Sequence, residues 1–321
     1  MKKNQKKISR RKFTTLAISG AGSVAFMGVP QRLFAKAPDD EKELSISLFS
    51  KHLQFLNYSE MAEAAADMGF NGLDLTVRPK GHVLPERVVD DLPKAVAAMT
   101  AHGLKPKMMT TTVWDITLEK QKTVLETAAS LGFTHYRTGW LKYGEDKSLV
   151  ESQRLFGQQA KALEACNRNL GLVGCYQNHA GKNVGAPIWD LPAIFSATDN
   201  EFMGCQYDIR HAVAEAGGSW ELGLRLISPF IKSIVIKDFK WGQVNGKWKP
   251  IHVPLGEGMV DFSRYFSLLK AYKINVPVSL HLEYDLGGAE RGASTINMPR
   301  KEIFLRMKKD LNFLKETWEK A

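Results

Sequence analysis

Residues 58–77 read YSEMAEAAADMGFNGLDLTV and place a helix, a glycine and a strand in direct succession. Tyr58–Met68 has the apolar spacing of an amphipathic helix, and Gly69 stands just beyond its last turn, where glycine commonly ends a helix. Gly72–Val77 is a short, mostly apolar run of the kind that forms a buried strand. This stretch predicts one helix-to-strand step of an α/β fold.

The same step recurs along the chain after Glu43. The predicted strands are Leu44–Phe49, Gly72–Val77, Lys105–Thr111, Thr134–Trp140, Leu172–Asn178, Met203–Ile209, Ser233–Phe239 and Val278–Tyr284. The predicted helices are Tyr58–Met68, Pro85–His102, Thr117–Leu131, Ser148–Asn169, Trp189–Ala197, Trp220–Ser228, Phe262–Tyr272 and Arg300–Lys320. Eight such units with no long break in composition predict a single (β/α)8 TIM barrel over residues 38–321.

A doubly wound open sheet is the alternative α/β fold. That fold usually carries a glycine-rich phosphate loop after its first strand, and the segment Phe49-Ser50-Lys51-His52 has none. The barrel is therefore favoured, and no nucleotide cofactor is expected. The one long insertion, Lys240–Val260, follows the seventh strand and contains Val244-Asn245-Gly246-Lys247, which predicts a hairpin turn.

The first 37 residues resemble an export signal. Residues 1–12 are basic, and Phe13–Val29 is an apolar stretch diluted by glycine and serine, too short and too polar for a stable membrane span. Ser9-Arg10-Arg11-Lys12-Phe13 resembles the twin-arginine signal, and Ala35-Lys36-Ala37 has the form of a cleavage site. We expect a bacterial protein passed by the twin-arginine translocase to the periplasm or the cell exterior. An uncleaved amphiphilic tail or membrane anchor is the alternative.

Charge and cysteine content exclude several classes of protein. The 321-residue chain has 44 basic and 34 acidic residues, a formal charge of +10. Nine of the basic residues and none of the acidic ones lie in residues 1–37, which leaves 35 basic against 34 acidic residues in the predicted barrel. That balance does not suit a nucleic-acid partner. The 3 cysteines show no CxxC spacing, so neither a disulfide framework nor a cysteine zinc site is expected.

Polar side chains gather at or just after the ends of the predicted strands, where TIM barrels place their active sites. They are Thr76, Arg78, His82, Arg137, Gln177, His179, Asp208, His211, Lys237, His281 and Glu283. Burying such groups without partners costs several kcal/mol each, so we expect those of the last four strands to converge on one pocket. Lys237-Asp238 can also be read as an ion pair at the rim, and Arg78 and His82 as solvated loop residues. Tryptophans beside the loops, Trp241 among them, suit the stacking of sugar rings.

Four motifs resemble the xylose isomerase-like sugar phosphate isomerase/epimerase superfamily, which includes endonuclease IV. They are Tyr176-Gln177-Asn178-His179, Tyr207-Asp208-Ile209-Arg210-His211, Ile236-Lys237-Asp238 and Ser279-Leu280-His281-Leu282-Glu283. The resemblance implies the eight-stranded barrel. It also implies a divalent metal, often manganese, held by a Glu, an Asp, a His and a second Glu on strands five to eight. In those epimerases the glutamates exchange protons with the carbon beside a carbonyl.

The match to that ligand set is partial. Asp208 and His211 match the metal-binding aspartate and the histidine three residues after it, whereas Gln177 and Val235 stand where a glutamate and a histidine are expected. His281 takes the place of the last glutamate.

Two interpretations follow. In the first, Asp208, His281 and Glu283, with His179, rebuild a site for manganese or zinc. In the second, the metal is lost and Lys237 works with Glu283 or a histidine as acid and base.

The expected activity is proton transfer next to a sugar carbonyl by an exported isomerase or epimerase acting on a small sugar or keto-sugar. Glu283 or His281 would remove the proton, and Lys237 or His179 would stabilise the enolate oxygen. The expected substrate-binding residues are Gln177, Arg78, His82, Arg137, His211 and Trp241. Elimination from a 3-keto-glycoside, by a lyase or hydrolase, is one alternative, and a periplasmic sugar-binding protein without catalysis is another. The dense ligand set of a three-metal nuclease is missing.

Overall fold

The computed structural model describes residues 44–321, so the predicted export signal lies outside the described residues. The strands of this part are β1 (Ile46–Phe49), β2 (Gly72–Thr76), β3 (Lys105–Thr110), β4 (His135–Arg137), β5 (Val173–Gln177), β6 (Met203–Asp208), β7 (Ile231–Ile236), β8 (Asp238–Val244), β9 (Lys247–Val253) and β10 (Val278–Leu280). All but β8 and β9 form a closed parallel barrel in the order β1-β10-β7-β6-β5-β4-β3-β2. The predicted (β/α)8 barrel is confirmed.

Helices follow the strands around the barrel. They are α1 (Tyr58–Met68), α2 (Val88–Ala101), α3 (Glu119–Ser130), α4 (Leu149–Leu170), α5 (Leu191–Phe195), α6 (Ile209–Ala216), α7 (Trp220–Ile227), α8 (Phe262–Ala271) and α9 (Arg300–Lys320). Asn57 and Ser148 begin α1 and α4 with reciprocal capping boxes, which satisfy backbone donors that a helix start leaves free. Gly69 and Gly171 end the same two helices with positive φ, as the sequence predicts.

Every barrel strand differs from its predicted bounds by at least one residue, and three strands differ by four or more residues. β10 pairs with β1 and β7 only over Val278–Leu280, so His281 and Glu283 lie in the loop beyond it. β4 stops at Arg137, and β7 begins at Ile231 and stops at Ile236, one residue before Lys237. Past β4 and β10 only single backbone hydrogen bonds continue the pairing, from the N–H of Thr138 to the carbonyl of Cys175 and from the N–H of His281 to the carbonyl of Ile236. Lys237 and Glu283 therefore follow the strand ends at the barrel mouth instead of lining longer strands.

Helix α6 is absent from the predictions, which assign Ile209 to a strand. It begins directly after β6 with no intervening loop, because the Asp208 side chain accepts from the backbone N–H of His211 and caps the helix. The same aspartate thus ends a strand and starts a helix. This places its carboxylate at the carboxyl end of the barrel.

A polar layer lies inside the barrel beneath the mouth. The carboxylate of Asp74 accepts from Ser279 Oγ at 2.6 Å and from Thr110 Oγ1 at 2.9 Å, which joins three strands. Burial raises the pKa of Asp74, although both hydroxyls favour the ionised form. Around this layer most residues of the parallel strands are buried, as expected for strands covered on both faces.

The insertion after β7 folds as the predicted hairpin. β8 and β9 pair antiparallel from Asp238 opposite Val253 to Val244 opposite Lys247, and Asn245 and Gly246 both have positive φ in the turn. Because the hairpin leaves the carboxyl end of β7, it rises beside the barrel mouth. None of the helices within residues 44–321 is long and apolar enough to cross a membrane.

Candidate active site

A lysine lies at the centre of the polar groups at the barrel mouth. Lys237 Nζ is 3.1 Å from Oδ2 of Asp208, 3.4 Å from Oε2 of Glu283 and 2.9 Å from Nε2 of His211. These four residues, named here the Lys237 cluster, come from the ends of β6, β7 and β10 and from the start of α6. Of the groups expected to converge, the structure brings Asp208, Lys237 and Glu283 together here, with Gln177 hydrogen-bonded to Asp208.

A chain of side chains fixes one side of the cluster. Gln177 Nε2 donates to Oδ2 of Asp208 at 2.7 Å, and Gln177 Oε1 accepts from Nη1 of Arg137 at 3.2 Å. Arg137 also stacks over Trp140, with the guanidinium carbon 4.3 Å from the ring centroid. Burial, and then the charge of Arg78, lowers the pKa of Arg137 to about 9. Gln177, Arg137 and His211 are almost completely buried, so they orient other side chains.

Glu283 is the member of the cluster that reaches solvent, with 19% of its side chain exposed. Its Oε1 lies 3.4 Å from Nζ of Lys51, and its Oε2 lies 3.5 Å from Nε2 of His252. Burial alone would raise the pKa of Glu283, but the charges of Lys237 and Lys51 outweigh burial and hold that pKa well below its ordinary value. The site therefore presents an ionised carboxylate beside two lysines.

The sequence analysis missed Lys51 and His252. Lys51 follows β1, and the rule that sites form after barrel strands would have found it. Its Nζ lies 5.5 Å from the ring centroid of Phe49, and burial lowers its pKa although Glu283 opposes the shift. His252 is brought to the site by the fold of the hairpin, which its sequence position in the insertion does not reveal. Burial lowers the pKa of His252 to about 4, so its ring is neutral at pH 7.

His281 lies beneath the mouth rather than in it. Its ring stacks on Phe49 at 4.1 Å, its Nε2 lies 3.1 Å from Oγ of Ser279, and its side chain is 3% exposed. Burial lowers the pKa of His281 to about 3. Nδ1 of this ring is 3.9 Å from Oε1 of Glu283, beyond hydrogen-bond distance. The structure thus joins His281 to the Ser279–Asp74 layer as a support for the site.

His179 forms a half-buried wall of the mouth. Its ring centroid lies 4.1 Å from that of His211 and 4.6 Å from that of Trp140, and its Nδ1 lies 2.9 Å from the carbonyl oxygen of Ala180. Donation from Nδ1 to this carbonyl leaves Nε2 without the ring proton. Burial, and then Lys237, lowers the pKa of His179. His179 therefore lies close enough to the cluster to face a bound substrate.

The remaining predicted substrate-binding residues lie farther along the rim. His82 is occupied by the protein itself, because its Nδ1 lies 3.1 Å from Oγ of Ser50 and its Nε2 lies 3.3 Å from the carbonyl oxygen of Leu53. Arg78 is half-buried, with its guanidinium carbon 5.8 Å from the ring centroid of Phe49. Trp241 is on the hairpin, 43% exposed, and is not part of the Lys237 cluster.

The side chains at the mouth do not fit a divalent metal. Lys237 Nζ occupies the space between the carboxylates of Asp208 and Glu283, and Gln177 turns an amide N–H, not an oxygen, toward Asp208. Metal ligands must offer lone pairs, which a lysine ammonium lacks. Within residues 44–321, no group of three His, Cys, Asp or Glu is arranged to hold a metal ion, so Asp208, His281 and Glu283 do not form a ligand set there.

Comparisons with known proteins agree with this fold. A sequence model of one family, described as xylose isomerase-like TIM barrel, matches residues 62–298, which is more than half of the chain. Comparison with curated proteins finds no match.

Solved structures resemble the chain at low sequence identity. The 3-keto-D-glucoside 4-epimerase from E. coli has a TM-score of 0.62 at 14% identity, covering 85% of this chain and 100% of its own. An L-ribulose 3-epimerase has a TM-score of 0.62 at 13% identity, covering 87% and 95%. A xylose isomerase-like TIM barrel protein from Mycobacterium smegmatis, solved in complex with magnesium, has a TM-score of 0.61 at 15% identity, covering 84% and 99%. At these identities the likeness establishes the fold.

Proposed function

Because the chain belongs to the xylose isomerase-like TIM barrel family, we propose that it is a sugar isomerase or epimerase that transfers a proton at the carbon beside a carbonyl. Two of the similar structures are epimerases of a keto-glucoside and of a ketopentose, by their names. A small sugar or keto-sugar is the substrate class that this chemistry requires.

One observation carries the proposal: Glu283 is an ionised, partly exposed carboxylate held between Lys51 and Lys237 at the barrel mouth. Removal of a proton beside a carbonyl needs a base and a nearby positive charge for the enolate oxygen. Here the carboxylate of Glu283 is the base, and the ammonium groups of Lys51 and Lys237 beside it supply the positive charge.

The residues then take distinct roles. Glu283 removes the proton from the carbon beside the carbonyl, and the electron pair moves onto the carbonyl oxygen. Lys51, whose side chain is 17% exposed, donates a hydrogen bond to that oxygen as its negative charge develops. Return of the proton from Glu283 to the former carbonyl carbon, with the proton of the neighbouring hydroxyl passing to the enolate oxygen, gives isomerisation. Delivery of a solvent proton to the opposite face of the same carbon gives epimerisation, and the unprotonated Nε2 of His179 can act as the base on that face in the reverse direction.

The same base also suits elimination from a 3-keto-glycoside. In that reaction the proton taken up by Glu283 would pass to the departing oxygen, and the neutral ring of His252, 3.5 Å from Glu283 on the hairpin, would donate a hydrogen bond to that oxygen. A sugar-binding protein without turnover is the remaining alternative, and the exposed Trp241 and Trp248 of the hairpin are compatible with it.

Proton exchange in D2O, followed by NMR, tests the proposal whichever product the protein forms. A panel of ketoses and 3-keto-glycosides is incubated with the protein, and loss of the C–H signal beside the carbonyl is recorded. We expect exchange with at least one sugar, and a fall of about 10²- to 10⁴-fold in Glu283→Gln.

A matched control is Lys249→Ala, which changes an exposed hairpin residue and should leave the exchange rate unchanged. Release of a free aglycone would assign elimination instead of epimerisation. A rise in melting temperature with sugar but no exchange in wild type would refute catalysis and leave the binding protein.

A further inference from the structure

The surroundings of Lys237 resemble the ligand shell of a cation more than an ordinary ion pair. Its Nζ has three partners, an aspartate oxygen, a glutamate oxygen and an imidazole nitrogen, at 2.9–3.4 Å. The lysine side chain is 3% exposed, and Asp208 is completely buried. Each of the three N–H groups of an ammonium can therefore be directed to one acceptor.

His211 accepts a hydrogen bond from Lys237, and Gln177 donates one to Asp208, so neither neutral side chain competes with the ammonium. Burial, and then Lys237 itself, lowers the pKa of His211 well below its ordinary value, so the ring is neutral and its Nε2 can accept. Arg137 occupies Oε1 of Gln177, which forces the amide nitrogen toward Asp208. That orientation removes the only oxygen that Gln177 could give to a metal.

We propose that Lys237 is a built-in monovalent cation that stands in the place of a divalent metal ion and holds Asp208, His211 and Glu283 in position for catalysis. Lys237 is a positioning residue, because it is buried beneath Glu283 and its donors are already used. Lys51, which lies on the solvent side of the Glu283 carboxylate, is the lysine that can contact the oxygen of a substrate. Only the catalytic purpose of this arrangement rests on the proposed function, since the cation and its shell exist without a substrate.

Metal content and melting temperature test this inference. Wild-type protein is dialysed with and without EDTA, its metals are measured by mass spectrometry, and it is then melted with Mg²⁺, Mn²⁺ or Zn²⁺. We expect no stoichiometric metal and no saturable rise in melting temperature. One divalent ion per chain, lost in Asp208→Asn, would overturn the inference.

Replacement of the lysine tests whether its charge is what matters. Lys237→Ala removes the ammonium and leaves space for a small cation, whereas Lys237→Met fills the space without charge. We expect both variants to melt lower than wild type, because two carboxylates lose their buried partner. Ethylammonium should then raise the melting temperature of Lys237→Ala saturably, and neither Lys237→Met nor wild type should respond.

An equal response of both variants to ethylammonium would show a structural lysine only and overturn the inference. If Lys237→Ala does not fold, the metal content of the wild type still tests the inference, because one divalent ion per chain would overturn it. None of these measurements uses a sugar. Failure of the proposed isomerase activity would therefore leave this result intact, and a metal-bound wild type would not by itself refute the activity.

Discussion

At the scale of single residues, Asp208 shows how one side chain organises the mouth. Its Oδ1 caps α6 through the backbone N–H of His211, and its Oδ2 accepts from Gln177 and Lys237. A capping aspartate is already held by the helix start, so its second oxygen is fixed before any partner binds. The cluster around Lys237 is therefore preorganised by backbone geometry and not only by opposite charges.

Replacing Lys51 tests its role as the hydrogen-bond donor to the enolate oxygen. Lys51→Met should lower kcat/KM by about 10²- to 10³-fold, because the enolate oxygen loses its exposed hydrogen-bond donor. The change in unfolding free energy should be small, since Lys51 is partly exposed and Glu283 still has its ion pair with Lys237. Steady-state kinetics together with urea unfolding separate the two effects. An unchanged kcat/KM would remove Lys51 from the mechanism.

At the scale of elements, the sequence is a good guide to the strands and helices that repeat a simple pattern. Tyr58–Met68 and Arg300–Lys320 have the bounds expected from their apolar spacing and end signals. Helix α6 escapes prediction because its first residue, Ile209, continues the apolar run of β6 and no turn residue separates them. His252 is also missed, because β9 must fold back before this residue contacts Glu283, which is distant from it in sequence. Local patterns thus determine the barrel, whereas the site also needs tertiary contacts.

Helix α9 carries a prediction about pH. Burial raises the pKa of Asp310, on this helix, from 3.8 to about 7. Between these two values the folded state holds a proton that the unfolded state has released, so the contribution of Asp310 is full below about pH 4 and is lost as the pH rises through 7.

Replacing Asp310 by the neutral Asn should remove this dependence. Relative to wild type, Asp310→Asn should gain about 2–4 kcal/mol of unfolding free energy between pH 4 and pH 8, at about 1.4 kcal/mol for each unit of pKa. Urea unfolding at several pH values measures the gain. Glu316→Gln, an exposed change on the same helix, is the control and should show no such trend. A flat difference for Asp310→Asn would contradict the assignment.

At the scale of the whole molecule, charge is distributed unequally along the chain. The nine basic residues of segment 1–37 account for almost all of the net charge of +10, and the barrel is close to neutral. We propose that this segment directs export by the twin-arginine translocase. A folded barrel is a suitable cargo for that route, since the residues after 43 form a closed barrel by themselves.

Export is tested by cell fractionation. In a bacterium with this translocase we expect the wild-type chain outside the cytoplasm and the Arg10→Lys/Arg11→Lys variant inside it, because the paired arginines are the recognition feature. Lys2→Arg/Lys3→Arg keeps the charge and spares the motif, so it should be exported. Equal distribution of all three chains would contradict the proposal.

The hairpin inserted after β7 is closed at its base by one carboxylate. Asp238 accepts from the backbone N–H groups of Phe239, Gly256, Gly258 and Val260, which lie at the two ends of the insertion. A segment tied at its root in this way is separable from the barrel: its tip can be lengthened, shortened or exchanged while the strands keep their register. The hairpin, which brings His252 to the site, can therefore be replaced as a module, with Asp238 kept as its point of attachment.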